Sequence, residues 1–452
     1  MNDLIIVGCG SAGYEAALTA VKFSKKVLCI EKAPQELGGT CLNRGCVPTK
    51  FLREGALLAE KIENSSFWGI ENKGFNPLLL EAIKNSQKKV IEPVRNNLLR
   101  FLKSKKVQLV FSPAVKFLDK NSVQTADGKV YKGKFILLAT GSRPTAVGNI
   151  KPDGEYILDT DTFWNIKETP KKVLIVGGGV SGVEFAYILR RYGVQKVYLV
   201  ELAKTLLPTA ENFSKDLVKR LEKALKNLGV EIFTSTTVED IDPKNRRVVL
   251  KGGLILEGID KILLTVGRRP NTDNLGLEEI GLKLDPKGFV EIKKGYQTEV
   301  ENIFAVGDII KTPALAHVAK REAQLAVKNI FQNRREELDY SLVPSVVYSV
   351  YELAAFGKNG EQLRREGIDF KTLMLNFRSV AKALSQREEG LIQIFTSPEG
   401  QIFGANILCK KCADALIHYL TLVKKERLPI KVLKELIWAH PTVEEVFENL
   451  PL

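Results

Sequence analysis

The chain has 452 residues, of which 44% are hydrophobic and 27% are charged. At roughly 150 residues per domain this length predicts about three domains, and the composition is that of a globular protein rather than a disordered one. The formal net charge is +14, but the basic residues are spread along the chain and accompany no nucleic-acid-binding motif. We therefore expect no nucleic-acid partner.

The apolar runs are short and lie next to glycines, as at residues 4–7 and 173–176. A bilayer helix needs about 20 apolar residues, and the N-terminus lacks the features of a signal peptide. We therefore expect no membrane span and a cytoplasmic location.

The first predicted element is a nucleotide-binding unit at the N-terminus. An apolar strand leads into GxGxxG, with Gly8, Gly10 and Gly13, and an amphipathic helix and a second strand ending at Glu31 follow. In this pattern the first glycine forms a tight turn, the second lets the backbone approach a pyrophosphate, and the third lets the helix pack on the strand. The pyrophosphate lies at the helix N-terminus, and the closing carboxylate binds a ribose hydroxyl.

A glycine-rich segment with two cysteines follows, GGTCLNRGCVPTK at residues 38–50. On a regular helix the spacing of Cys41 and Cys46 gives a rise of about 7.5 Å, beyond the roughly 4.4–6.8 Å usual between bridged Cα atoms. The segment must therefore be distorted if the two cysteines bond, and Gly45 permits such a distortion. Because disulfides in a reducing cytoplasm are usually transient and catalytic, the pair predicts redox chemistry.

Basic residues are densest at 84–106, where they alternate with apolar residues at helical spacing, which predicts a solvated helix face. The strand–loop–helix–strand–acid pattern then recurs, with Gly177, Gly179, Gly182 and Glu201. One GxGxxG is a weak signal, but two complete copies predict two dinucleotides and hence electron transfer between a nicotinamide and a flavin. The carboxylate of Glu201 suits the free 2′-hydroxyl of NAD and repels the 2′-phosphate of NADP.

A second cysteine pair lies near the C-terminus, in the CKKC of Cys409 and Cys412. The pair is open to three interpretations: incidental thiols, an auxiliary redox pair whose pKa values the lysines lower, or half of a zinc site. The sequence offers no second CxxC or histidine pair to complete such a site, and we predict no metal centre. Cys9 and Cys29 are interpreted as small buried hydrophobic residues.

The cysteine segment at 38–50 resembles the active-site signature of the pyridine nucleotide–disulfide oxidoreductases. The resemblance covers the whole chain, through FILLATGSRP (135–144), VGRRPN (266–271), TEVENIFAVGD (298–308), PALAHVAKREA (313–323) and WAHPTVEEVFE (438–448). It implies an α/β fold with two Rossmann-like dinucleotide-binding domains plus a C-terminal α+β dimerisation domain. The implied domains are an FAD-binding domain at 1–147, an NAD-binding domain at 148–269, a central domain completing the FAD site at 270–338 and an interface domain at 339–452.

The resemblance also implies catalytic roles. Cys41 would attack the substrate disulfide, and Cys46 would exchange electrons with the flavin. His440 would act as the base, oriented by Glu445, and would complete the site of the other subunit in a homodimer. The other two histidines of the chain are interpreted as structural.

Lys50 would lie beside the flavin and pair with Glu184 near the nicotinamide. The remaining cofactor contacts that the resemblance or the two glycine patterns imply are Gly8, Gly10, Gly13, Glu31, Thr40, Ala114, Thr140, Gly141, Asp308 and Ala316 for FAD, and Gly177, Gly179, Gly182, Glu201, Val238 and Gly267 for the nicotinamide half. Ala114 and Val238 match the pattern only weakly.

Within the family the resemblance is greatest to the dihydrolipoamide dehydrogenases. Glu201 argues against the NADP-linked glutathione and trypanothione reductases, and the C-terminal ENLPL lacks the cysteine pair of mercuric reductases. The implied reaction is oxidation of dihydrolipoamide on a lipoylated carrier protein or domain by NAD+. The alternatives are an NAD(P)H-dependent reductase of another disulfide or of metal ions, and a flavoprotein that mainly holds an acidic partner.

Overall fold

The computed structural model describes residues 1–148 and 150–451, and its N-terminal part is an α/β unit. The strands of this unit are β1 (Asn2–Val7), β2 (Val27–Glu31), β3 (Gln108–Phe111), β4 (Val115–Asp119), β5 (Ser122–Thr125), β6 (Val130–Leu138) and β7 (Ser142–Pro144). Its helices are α1 (Ser11–Ala20), α2 (Gly39–Asn43), α3 (Cys46–Glu63), α4 (Leu79–Asn85) and α5 (Glu92–Ser104).

The second α/β unit follows in chain order. Its strands are β8 (Ile157–Asp159), β9 (Lys172–Val176), β10 (Lys196–Glu201), β11 (Val230–Thr234), β12 (Val238–Asp242), β13 (Arg247–Leu250), β14 (Ile255–Glu257), β15 (Lys261–Leu264) and β16 (Arg268–Pro270). Its helices are α6 (Val180–Arg191) and α7 (Lys215–Asn227). The next two elements, β17 (Ile303–Ala305) and α8 (Ala316–Gln332), return to the first unit.

The C-terminal part is an α+β unit. Its strands are β18 (Ser345–Tyr348), β19 (Glu352–Gly357), β20 (Lys371–Asn376), β21 (Gly390–Thr396) and β22 (Ile402–Cys409). Its helices are α9 (Gly360–Arg365), α10 (Ala381–Ser385), α11 (Ala413–Lys425) and α12 (Val432–Glu435).

The core of the first unit is a parallel run of strands in the order β3-β2-β1-β6, to which β17 adds beyond β6. Strand β1 is central, and Leu4, Ile5, Ile6 and Val7 are at most 3% exposed. Both faces of such a sheet are covered, which explains why the strand reads as a continuous apolar run. Helix α1 packs against α8, so that residues after 300 complete a unit that begins at residue 2.

The second unit repeats this construction, with a fully parallel sheet in the order β11-β10-β9-β15-β8. A small antiparallel sheet of β12, β13 and β14 packs beside it. Strands β7 and β16 pair with each other where the chain passes into the second unit and back out of it. The two GxGxxG loops therefore stand in equivalent positions, each at the carboxyl end of a central parallel strand.

The C-terminal sheet is antiparallel, in the order β18-β19-β22-β21-β20, and α11 packs on β19 and β22. Two parallel α/β units followed by this α+β unit confirm the predicted fold class. Within the described ranges 1–148 and 150–451, the structure contains no helix long and apolar enough to cross a membrane.

Candidate active site

The helix is interrupted between the two cysteines of the N-terminal segment. Helix α2 ends at Asn43 and α3 begins at Cys46, and the intervening Arg44 and Gly45 have non-helical backbone angles, with φ of −143° and −117°. A Cβ atom on Gly45 would lie 3.0 Å from the carbonyl oxygen of Thr40. The predicted distortion is confirmed, and the absence of a side chain at Gly45 lets the two turns of backbone approach.

Cys41 and Cys46 both line a cavity of about 1700 Å³. Cys41 is half-buried and Cys46 is exposed in it. The pKa of Cys41 is lowered to about 7, first by a hydrogen bond with the Cys46 thiol and further by Ser11 and the positive charge of Lys320. The same hydrogen bond and burial raise the pKa of Cys46. At neutral pH about half of the reduced pairs therefore carry a negative charge, on Cys41, and this thiolate is the reactive form of cysteine.

The cavity is larger than the roughly 300–1,000 Å³ of an ordinary small-ligand site. It extends from the carboxyl ends of β1 and β2 past the cysteines to α6 and α11. The predicted site residues that line it are Gly8, Gly10, Glu31, Thr40, Lys50, Ala114, Thr140, Gly141, Glu184, Asp308 and Ala316. The structure thus brings most of the residues proposed for one long cofactor to a single cavity.

The first glycine loop has the shape of a phosphate cradle. Gly8 has φ of +93°, and a Cβ there would lie 2.4 Å from the carbonyl oxygen of Ala139. A Cβ on Gly13 would lie 1.9 Å from the carbonyl oxygen of Gly8, so this glycine lets α1 pack on the loop. Gly10 caps α1, whose first turn carries no acidic side chain. The positive end of the helix is therefore free to bind an anion such as a pyrophosphate.

The second glycine loop is built in the same way. Gly177 has φ of +106°, and a Cβ atom there would collide with the backbone of Thr265. A Cβ on Gly182 would lie 2.0 Å from the carbonyl oxygen of Gly177. A Cβ on Gly179, which caps α6, would meet open space. This loop leaves the backbone at the start of α6 open to a second pyrophosphate.

The two closing glutamates also occupy equivalent positions. Glu31 accepts a hydrogen bond from the backbone N–H of Cys9 at 2.7 Å, and Glu201 accepts one from Gly178 at 2.7 Å. Each carboxylate also accepts from a backbone N–H one or two residues farther along its own chain. Burial raises the pKa of Glu31. Both side chains are thereby fixed beside their glycine loop, where a ribose hydroxyl can donate to them.

Lys50 and Glu184 meet across the boundary between the first two units. The Lys50 Nζ lies 2.8 and 2.7 Å from the two carboxylate oxygens of Glu184, and it lies 4.7 Å from the ring centre of Tyr348. The backbone N–H of Tyr348 donates to the same carboxylate at 3.0 Å. Because Glu184 is only 4% exposed, this pair is held in one orientation at the edge of the cavity.

Asp308 anchors the other side of the cavity. Its carboxylate accepts a hydrogen bond from the Ser142 hydroxyl at 2.6 Å, and Arg268 donates to that hydroxyl at 2.8 Å. Gly267, with φ of +111°, accepts from the backbone N–H of Thr145 at 3.1 Å. The two loops that connect the units are therefore tied together beside Asp308.

Val238 lies elsewhere. It is 8% exposed on β12 and packs in a hydrophobic cluster with Val176 and Val200. The structure gives its side chain a packing role, and the cofactor contact proposed for this position stays a prediction.

The base dyad lies on the outer surface of its own subunit. The His440 Nδ1 lies 2.7 Å from Glu445 Oε1, and the backbone N–H of Thr442 donates to Glu445 Oε2 at 2.7 Å. The His440 side chain is 74% exposed. The hydrogen bond from His440 lowers the pKa of Glu445. Since His440 points outward, its imidazole is available to a second subunit.

Arg44 is a residue that the sequence interpretation missed. Its guanidinium binds both carboxylate oxygens of Glu36, at 2.8 and 2.6 Å, and lies 3.5 Å from Asp161. The Trp164 indole donates to the Arg44 carbonyl oxygen at 2.9 Å. Arg44 therefore fastens the non-helical link between the cysteines, and its position between them was the available signal. Lys320, which lowers the pKa of Cys41, gave no such signal because it lies on a distant helix.

Two family models match the chain. The model described as pyridine nucleotide-disulphide oxidoreductase matches residues 2–323, and the dimerisation domain of the same family matches residues 343–451. The chain belongs to the pyridine nucleotide–disulfide oxidoreductase family. Its cofactors are FAD and NAD(H), which the two glycine loops and their glutamates fit, and the dimerisation domain indicates a homodimer.

Similar proteins cover almost the whole chain. Dihydrolipoyl dehydrogenase of Bacillus subtilis is 35% identical, over 98% of this chain and 94% of its own length, and that of Chlamydia trachomatis is 34% identical over 100% and 96%. Among solved structures, the HOCl-induced flavoprotein disulfide reductase RclA of Escherichia coli has a TM-score of 0.88 at 25% identity, covering 99% of both chains. LpdA of Mycobacterium tuberculosis shares the fold, with a TM-score of 0.89 at 24% identity over 99% of this chain and 98% of its own.

Proposed function

We propose that this flavin disulfide oxidoreductase is a dihydrolipoyl dehydrogenase, which oxidises dihydrolipoamide on a lipoylated carrier protein with NAD+. The observation that carries the proposal is the combination of the Cys41–Cys46 pair with a histidine base on the outer face of the same chain. Relatives with this name match the chain along its full length, and Glu201 stands where NAD is preferred over NADP.

The cysteine pair would perform the exchange. In the oxidised enzyme Cys41 and Cys46 would form a disulfide. A dihydrolipoamide thiolate would attack Cys41, which breaks the Cys41–Cys46 bond and releases the Cys46 thiolate. The second substrate sulfur then displaces Cys41, so that lipoamide leaves with a new S–S bond and both cysteines are reduced. FAD, which the first glycine loop and Glu31 would hold, would supply the path for the electron pair from the reduced cysteines to NAD+, so that the products would be NADH and one proton. The lowered pKa of Cys41 makes it the better leaving group of the two cysteines.

His440 of the partner subunit would manage the protons of this exchange. Glu445 accepts from Nδ1–H, so the free Nε2 can take a proton from the substrate thiol. An imidazole suits this step because it gains and loses a proton near neutral pH.

The Lys50–Glu184 pair would define the position where the two cofactors meet. Glu184 lies on α6, whose N-terminal glycine loop is the proposed NAD site, and Lys50 lies one turn after Cys46 on α3. The ion pair therefore links the helix that carries the redox cysteine to the helix that carries the nucleotide.

The direct test compares two reactions of the purified holoenzyme and uses one control variant. We expect rapid NAD+ reduction with dihydrolipoamide, and little NADPH oxidation with glutathione disulfide. A Cys41→Ser variant that still binds FAD is the control, and it should lose the first reaction. If dihydrolipoamide supports no more NAD+ reduction in the wild type than in this variant, the proposal is wrong.

A second candidate function is reduction of another disulfide or of a metal ion by NAD(P)H. It is favoured by the structural likeness to RclA, a disulfide reductase that has also been solved as a Cu(II) complex. This candidate predicts faster NADH oxidation with Cu(II) than NAD+ reduction with dihydrolipoamide. The lipoylated carrier and the cytoplasmic location remain predictions under either function.

A further inference from the structure

The second cysteine pair occupies the junction between the last strand and the helix that follows it. Cys409 is the last residue of β22 and is fully buried, and Cys412 caps the N-terminus of α11 and is half-buried. The two Sγ atoms are 2.8 Å apart. This pair is separate from the redox cysteines of α2 and α3, and the mechanism above makes no use of it.

The separation of the sulfurs distinguishes between the three interpretations of the motif. Non-bonded carbon atoms already prefer roughly 3.5–4.0 Å, and sulfur is larger, so two independent thiols would stand farther apart. Two thiolates on a tetrahedral zinc, at about 2.3 Å from the metal, would stand about 3.8 Å apart. A spacing of 2.8 Å is too short for both arrangements and needs only a small side-chain movement to form a covalent bond. Of the three interpretations, only a pair that forms a disulfide remains. We infer that Cys409 and Cys412 form a second disulfide, and that this bond is structural rather than the auxiliary redox pair considered above.

The residues around Cys409 and Cys412 argue against a metal site for a second reason. Glu388 has its carboxylate near both sulfurs, but that carboxylate already accepts hydrogen bonds from the backbone N–H groups of Lys410 and Lys411. Glu388 is thereby committed to closing the two-residue loop that brings the cysteines together.

The environment also makes the bond hard to reduce. Burial raises the pKa of Cys409, and the neighbouring thiol, burial and the charge of Glu388 raise the pKa of Cys412. A disulfide is a strong oxidant when the thiolate that its reduction produces is stabilised. Here the thiolate is disfavoured, so the disulfide is the stable form, in contrast to the pair at Cys41.

The bond would fix one wall of the active-site cavity. Helix α11 contributes Asp414 and His418 to that wall. Its start is held by Glu352, which accepts from the N–H of Ala413 at 3.0 Å and pairs with Arg53 of the redox helix at 2.9 Å. A disulfide at Cys412 adds a covalent link to this buried contact.

Formation of the bond is a two-electron oxidation. Each thiol loses one hydrogen, and a low-molecular-weight disulfide RSSR accepts the two electrons and two protons and leaves as two RSH. Cys412, the more accessible thiol, would attack RSSR first, and Cys409 would then displace the mixed disulfide.

The test uses the holoenzyme in a buffer of reduced and oxidised glutathione without oxygen. The reaction is stopped with acid, free thiols are blocked with N-ethylmaleimide in denaturant, and the protein is digested with trypsin. Because Lys410 and Lys411 separate the cysteines, trypsin cuts between them, and a disulfide appears as two peptides that remain joined. A fully reduced sample gives the reference masses.

We expect the joined peptides in the glutathione buffer, and we expect them to persist when excess NADH opens the Cys41–Cys46 pair. Modification of Cys409 and Cys412 by N-ethylmaleimide after incubation in the glutathione buffer would overturn the inference, because it would show that both thiols are free. Opening of the bond by NADH would also overturn it, since the pair would then be a redox partner rather than a structural link.

A second measurement uses Cys412→Ser, which retains a good helix cap, in a Cys41→Ser background. The background variant should lose thermal stability when a phosphine reductant is added, and the double variant should show no such loss. Equal responses of the two proteins to the reductant would contradict the inference. Neither result depends on which substrate the enzyme oxidises.

Discussion

The hydrogen bond from Cys46 accounts for most of the acidity of Cys41, and this can be tested by a matched pair of variants. At a pKa of about 7, half of Cys41 is thiolate at neutral pH, whereas at the ordinary value of 9.0 only about one per cent would be. Cys46→Ala removes the donor and should move the pKa of Cys41 toward 9.0. Cys46→Ser keeps a hydroxyl donor and should leave the pKa closer to neutrality.

Two opposing effects set the size of the change. The thiolate fraction at pH 7 falls about fiftyfold, but a less acidic thiol forms a stronger nucleophile, by roughly six- to tenfold for a hundredfold change in acidity. In the alanine variant, alkylation of Cys41 should therefore be about sixfold slower than in the serine variant at pH 7. At a pH above about 10, where the Cys41 thiol is ionised in both variants, the alanine variant should react faster.

The assay is the rate of iodoacetamide addition to Cys41 in the reduced holoenzyme, measured by mass spectrometry across the pH range. Mass spectrometry is needed because each variant keeps four cysteines besides Cys41, and the adduct must be assigned to Cys41. The rate profiles of the two variants should cross. Profiles that run parallel, with the same midpoint for alanine and serine, would refute the assignment of the pKa shift to this hydrogen bond.

Three further predictions follow from the charged contacts. Lys50→Met leaves the buried carboxylate of Glu184 without its cation and should cost about 2 kcal/mol in urea denaturation; an unchanged midpoint would contradict a structural ion pair. The Arg44 salt bridge lowers the pKa of Glu36, so its stabilising effect is present above that residue's ordinary pKa and is lost as the pH falls below it. Acidification should therefore increase flavin release less in the Glu36→Gln variant than in the wild type. An unaltered pH profile of flavin release would contradict this prediction. His440→Gln should lower dihydrolipoamide turnover by about 10²–10⁴ and leave flavin reduction by NADH intact; mixing with Cys41→Ser subunits should restore activity, and failure to restore it would exclude a shared site.

Much of the architecture could be predicted because the two nucleotide-binding patterns are local. Gly13 and Gly182 are each required by the backbone of their own strand–loop–helix unit, since a Cβ would meet the carbonyl oxygen of Gly8 or of Gly177. The buried positions of Cys9 and Cys29 follow from the same apolar strands. The basic run at 84–106 is helical, as its periodicity predicts, with Leu102 fully buried.

Contacts between distant segments could not be predicted in this way. The contact of Arg44 with Asp161 depends on a loop more than a hundred residues away, and the effect of Lys320 on Cys41 depends on α8 returning to the first unit. The pairing of Lys50 with Glu184 was predicted only through the family resemblance, since no local pattern joins α3 to α6. Val238 matches a cofactor-contact position only weakly, and the packing of its side chain against Val176 and Val200 could not be predicted because no local pattern joins β12 to β9 and β10.

His440 illustrates a limit of a different kind. The HPTVEE segment identifies the base and its partner Glu445, and the structure places the two in contact. The thiol that this base would serve lies in another copy of the chain. The family resemblance implies this role of His440, and an experiment on the assembled dimer is needed to test it.

Cys41 and Cys46 should accept an electron pair in addition to the one taken up by the flavin. Anaerobic titration of the holoenzyme with a reductant of known strength measures this directly, through the flavin absorbance and the count of newly exposed thiols. We expect the wild type to take up one more electron pair per subunit than a Cys41→Ser/Cys46→Ser variant, and two thiols to appear with it. Equal uptake by both proteins would show that the cysteine pair accepts no electrons.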